Sequence, residues 1–170
     1  MTTLTNKLQF TTKTGLLSIL LLTSLVLIFI SEWMKSRWQL ELLDGIWDPA
    51  EARSLIEQLS SAQVIGHLWF TTTIDVILPL AVVATLTGVT LKAFTRYGKY
   101  LAIPALAALP LDLSEGVIQV LVLTNTADLL NIKAYTSPLK IGGYLFGLAM
   151  LLLALIQWLF VALKTQLLRD

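Results

Sequence analysis

Residues 67–91 read HLWFTTTIDVILPLAVVATLTGVTL, from His67 to Leu91, with Asp75 as the one acid in the stretch. A helix of this length, rising about 1.5 Å per residue, is long enough to cross roughly 30 Å of hydrocarbon. A carboxylate at membrane depth costs roughly 2.5–3.5 kcal/mol even on the lenient insertion scale. Asp75 is therefore expected to face protein or water and to be a candidate for function.

Three further apolar runs flank this one: Gly15–Ser31, Leu101–Thr124 and Pro138–Leu163. The 170 residues are 56% hydrophobic and 14% charged, with a mean hydropathy of +0.77. Soluble domains carry about 25% charged residues, so this chain is depleted in charge. The expected fold is an all-α integral membrane protein, one domain over residues 1–170. Four transmembrane helices at about 15–31, 67–91, 101–124 and 138–163 form a bundle. Lys7 and Lys13 precede the first run as they would in a signal peptide. The run ends Phe29-Ile30-Ser31-Glu32-Trp33 without a small-residue cleavage pattern, so it is expected to be a retained span.

Basic residues set the orientation. Lys7, Lys13, Lys92, Arg96, Lys99, Lys164 and Arg169 fall on one side, and Lys35, Arg37, Arg53, Lys133 and Lys140 on the other. The short cluster Lys92, Arg96 and Lys99 puts both termini in the cytoplasm by the positive-inside rule, as in a bacterial inner membrane. Residues 32–66 then lie outside. Trp33, Trp38 and Trp47 hold this loop at headgroup level. Within it, Asp48-Pro49-Ala50-Glu51 is a helix start, with Asp48 as cap, Pro49 at the first position and Glu51 closing a capping box. Ala52, Leu55, Ile56 and Leu59 give the following helix, about 49–60, one apolar face. Span four is expected to open at Pro138 behind Ser137. Gly143 and Gly147, with Gly142 beside them, mark a face for close helix approach.

Two more acids, Asp112 and Glu115, lie in span three. His67, Thr71 and Asp75 share a face of span two, and Asp112, Glu115 and Gln119 share a face of span three. Counting rises, Asp75 is about 12 Å from the outer end and Glu115 about 9 Å, with Asp112 near the midplane. Lys140 has a stem that reaches inward from the outer end of span four. The reading brings Asp75, Glu115, Lys140 and His67 together in the outer half, with Asp112 below and Gln119 in the same network. Acids outnumber the lysine, and close carboxylates cannot all stay ionised without a proton, a cation or water. Asp112, the deepest, is the one expected to need that relief.

These features resemble a family of small bacterial four-span membrane proteins. Its pattern is an Asp followed by Pro in span two (Asp75, Pro79), Asp-x-x-Glu-Asn in span three (Asp112-Leu113-Ser114-Glu115), and a Lys opening span four (Lys140). Gly116 stands where the pattern has Asn, which removes one hydrogen-bonding partner. The resemblance spans about 44–163 and implies a four-span fold with an acidic site, but no activity.

Composition narrows the chemistry. The chain has no cysteine, which excludes disulfides and thiolate chemistry, and one histidine, which excludes a multi-His metal cage. No cofactor and no metal are expected. A net charge of +1 offers no surface for nucleic acid. There is no nucleophile elbow, phosphate loop or His-x-x-x-His pattern. Three readings stay open. The acids form a structural network in an accessory subunit, with a membrane-protein partner or a second copy. Or they line an outward-facing pocket that binds or passes a proton, a cation or an amphiphile with a positive head. Or they do acid–base work on a lipid, with His67 nearby.

Overall fold

A computed structural model describes residues 13–168. Lys7 and Arg169, used in the charge count above, lie outside the described residues. No strand occurs among the described residues, and four helices are long and apolar enough to cross a membrane.

The first, α1 (Thr14–Trp38), ends with Lys35 and Arg37 in its last turn, where cations offset the negative end of the helix dipole. A 3-10 turn, Leu43–Gly45, follows, then the short helix α2 (Pro49–Gln58). Asp48 caps α2 by accepting from the Ala50 N–H at 2.9 Å. The reciprocal capping box lies one helix later. Ser60 and Gln63 close it at the start of α3 (Ser61–Thr72), and the Gln63 amide also donates to the Gln39 carbonyl at 3.2 Å. The Ser-x-x-Gln spacing that makes this box was legible in the sequence.

The second apolar stretch is two helices. α3 stops at Thr72, and α4 (Ile74–Ala93) starts after Thr73, whose φ of −118° and ψ of −77° leave the helical track. Pro79 then removes the donor that the Asp75 carbonyl would otherwise meet. A short helix α5 (Gly98–Leu101) leads into α6 (Ile103–Leu123), with Pro104 in its first turn.

The last helix, α7, runs from Leu130 to Leu167. It begins two turns before the expected start, and Pro138 lies inside it. Ser137 does not cap; its hydroxyl donates to Glu115 instead. The freed Ala134 carbonyl is the cost of a proline at this point.

α4 packs against α1, α6 and α7, and α7 packs most extensively against α6. The small residues explain the closeness. A Cβ on Gly143 would lie 2.5 Å from the Pro104 carbonyl oxygen, and one on Gly147 would lie 2.9 Å from Leu86 Cδ1. Gly142 does not share this face and has nothing within 4 Å. The apolar face of α2 is covered as its spacing suggests. Ala52 is buried with Leu43, Ile46, Ile118, Leu123 and Leu130, and Leu55, Ile56 and Leu59 pack against them. Arg53 fixes α2 from its other side by donating to Asp128 (2.6 Å) and Asn131 (3.2 Å).

Candidate functional site

The polar residues gather where α4, α6 and α7 meet beneath the 3-10 turn. α6 supplies Asp112, Glu115 and Gln119, at 6%, 0% and 3% exposure. α7 supplies Thr136, Ser137, Lys140 and Tyr144; Lys140 lies three or four residues after the adjacent Ser137 and Thr136, and Tyr144 four after Lys140, so they share a face.

Glu115 is fully satisfied. One oxygen accepts from Ser137 (2.6 Å) and Thr136 (3.2 Å), and the other from Lys140 Nζ (2.6 Å). Lys140 donates also to Asp112 at 2.9 Å, and Asp112 accepts from the Tyr144 hydroxyl on its second oxygen. One lysine thus bridges two buried carboxylates, and three hydroxyls donate to them as well, so every oxygen of the pair accepts at least one hydrogen bond. A buried charge group can persist when its other lone pairs are also met in this way.

Asp75 is placed differently. It makes no hydrogen bond or ion pair with another described residue. The sequence reading paired it with Glu115 and Lys140. The structure gives Lys140 to Asp112 and Glu115, so Asp75 is the carboxylate left needing relief, not Asp112. Lys140 is already taken by the two carboxylates of α6, at 2.9 and 2.6 Å.

Asp44, from the 3-10 turn, joins Asp75 at the site. Carboxylate oxygens of Asp44, Asp75 and Asp112 all lie within 4.8 Å of one another. Asp44 accepts from Gln119 Nε2 and stands 3.9 Å from Lys140 Nζ. Gln119 is held in turn by Thr71, whose hydroxyl donates to its carbonyl at 3.3 Å. This triad has the separation of a cation site, a grouping the sequence did not suggest.

Lys133 explains why Asp44 is there. It is 1% exposed, and its ammonium donates to the carbonyls of Leu43 and Ile46, both at 2.8 Å. Those two carbonyls bracket Asp44, so the lysine clamps the turn over the helix ends. His67 is also buried, but it is not part of the triad, and its Nε2 has no hydrogen-bond partner among the described residues.

A cavity of about 540 Å³ opens from the triad between α4 and α7. Asp44, Asp75, Asp112, Lys140 and Tyr144 line one end, and Leu78, Pro79, Val82, Leu86, Leu145 and Leu148 the rest. On α4 the lining runs from Asp75 to Leu86, about 16 Å at 1.5 Å per residue. The space is charged at one end and apolar for about half a hydrocarbon thickness below it.

No family model matches the chain, and neither a curated protein nor a solved structure matches it. The family resemblance therefore rests on the Asp75, Pro79, Asp112, Glu115 and Lys140 pattern alone.

Proposed function

We propose that this chain is an integral membrane protein that binds an amphiphile with a primary ammonium head. The four long helices cross the bilayer as a bundle, with both termini in the cytoplasm and the 3-10 turn at the outer surface. Large apolar side chains turned outward support the insertion: Phe29 is 74% exposed and Phe160 68%. Such a surface suits lipid and would aggregate in water.

The observation that carries the binding reading is the cavity with the carboxylate triad at one end. Asp44, Asp75, Asp112 and Glu115 face Lys133 and Lys140, which leaves two negative charges in excess when all are ionised. An ammonium offers three N–H donors. Acceptors at about 2.8 Å from one nitrogen, in tetrahedral directions, stand about 4.6 Å apart. The triad oxygens lie within 4.8 Å, and the apolar walls below take a chain.

The other half of the cluster supports a second, compatible role. Glu115, Lys140 and Asp112 are satisfied by one another and by Ser137, Thr136 and Tyr144, so they fix the register of α6 on α7. That is the accessory, structural part of the network. Asp75 and Asp44 are the part open to a ligand.

The test is saturable binding of radiolabelled dodecylamine to the purified protein in nanodiscs, with dodecanol and dodecyltrimethylammonium as competitors. Dodecylamine should bind and be displaced poorly by either competitor. The Asp44→Asn, Asp75→Asn double variant should lose it. No saturable binding, or equal binding by the double variant, overturns the proposal. Displacement by calcium at low concentration would make the triad a metal site instead.

A further inference from the structure

Asp75 lines two cavities. The second, about 350 Å³, lies between α3–α4 and α6, and its walls include Thr71, Thr72, Val76, Gly116 and Val117. It opens at a different place from the first: Val76 and Val117 at its wall are 37% and 59% exposed, whereas the larger cavity is edged by Leu145 at 60%.

Gly116 contributes a stretch of this wall that carries no side chain. A Cβ built there meets only Thr71 Cγ2, at 3.5 Å, an ordinary contact. No close approach of helices demands a glycine, unlike Gly143. A glycine inside a helix is less favourable than an alanine, because it has more backbone freedom to lose. Here it lies directly after Glu115 on α6, and it lines the same space as Asp75. The wall opposite carries Thr71, which turns its methyl toward Gly116 and gives its hydroxyl to the Thr71–Gln119–Asp44 chain of hydrogen bonds. The gap therefore has one carboxylate, Asp75, without a hydrogen bond or ion pair to another described residue, in a mostly apolar shell.

We infer that this chamber is a second binding site, for compact alkylammonium groups, and that Asp75 is the carboxylate shared between it and the larger cavity. A cation held at Asp75 can then be reached from two sides of α4. This goes beyond amphiphile binding in the larger cavity and rests on that reading only in sharing Asp75.

The test uses the absence of cysteine in the chain. Gly116→Cys places one thiol in the chamber, and Val120→Cys, at another lining position, serves if the first variant does not fold. Each is reacted in nanodiscs with cationic 2-aminoethyl methanethiosulfonate and with the neutral methyl reagent. A carboxylate in a cleft raises the local cation concentration, so the cationic reagent should be favoured about tenfold over its ratio with a free thiol. Adding Asp75→Asn should abolish that preference, and bound dodecylamine should slow the cationic reagent. No reaction with either reagent, or a preference unchanged by Asp75→Asn, overturns the second site. The preference is read without dodecylamine. It therefore stands if the larger cavity takes no amphiphile, and its failure leaves amphiphile binding to its own test.

Discussion

Lys140→Met is the most informative single perturbation of the buried network. The lysine side chain is 7% exposed, and among the described residues it is the one cation within 4 Å of Asp112 and Glu115, at 2.9 and 2.6 Å. Removing it leaves two carboxylates with no cation. Breaking a buried pair from one side costs roughly 3–5 kcal/mol, because the surviving charge is uncompensated. For a chain of this length that corresponds to a fall in melting temperature of roughly 6–20 °C. Glu115→Gln should cost less, on the order of 1–2 kcal/mol. The amide oxygen can still accept from Lys140 and its NH2 can donate to Ser137, so a charged hydrogen bond is exchanged for a neutral one. Lys140 keeps Asp112 in that variant. The triple variant Lys140→Met, Glu115→Gln, Asp112→Asn removes the whole charge set and should recover most of the loss. Thermal unfolding in detergent at neutral pH, followed by tryptophan fluorescence, reads all three. A Lys140→Met protein as stable as the parent, or a triple variant no better than the single, would refute the pairing.

Other expectations are equally direct. Gly143→Ala should destabilise by about 1–3 kcal/mol, since its methyl would sit 2.5 Å from the Pro104 carbonyl oxygen, whereas Gly142→Ala, facing open space, should cost nothing in the same unfolding assay. Arg53 donates to Asp128 and the Leu130 N–H adds a second bond, which together hold the Asp128 carboxyl below its ordinary value. A carboxyl lowered by folding contributes stability above the ordinary aspartate range, and that contribution fades as pH falls through the lowered value. Arg53→Ala should raise the Asp128 midpoint, read by NMR titration; an unmoved midpoint would deny the pair. Single cysteines replacing Ser54 and Tyr97 should be labelled by an impermeant reagent from opposite sides of the membrane. Labelling at position 97 from outside intact cells would overturn the orientation.

The apolar runs were legible because length and hydropathy alone identify a helix able to cross a membrane, and four such helices are present. The α2 face was legible for the same kind of reason: Ala52, Leu55, Ile56 and Leu59 recur at the helical period. The breaks were not. Nothing in Thr71-Thr72-Thr73 announces that α3 ends there and that α4 starts at Ile74. Pro138 looked like a start signal because proline favours a first turn, yet the packing of α7 on α6 carries the helix through it.

The site was half legible. Spacing grouped Asp112, Glu115 and Gln119 and brought in Lys140. Asp44 and Lys133 were invisible to that argument because each lies outside the apolar runs, where a charge ordinarily means solvent. Only the fold of the turn, clamped at the Leu43 and Ile46 carbonyls, brings Asp44 over the site. Tyr144 could have been found: it follows Lys140 by four residues on the same helix, the spacing of a shared face.

The central claim is that Asp44 and Asp75 receive an ammonium while the adjoining cavity takes its chain. The most direct measurement is a structure of the protein in nanodiscs with dodecylamine bound. The account predicts the nitrogen within hydrogen-bond distance of both carboxylates, about 3 Å, and the chain running between α4 and α7 toward Leu86. A nitrogen at the headgroup level of the bilayer, with the cavity holding ordinary lipid or nothing, would contradict it.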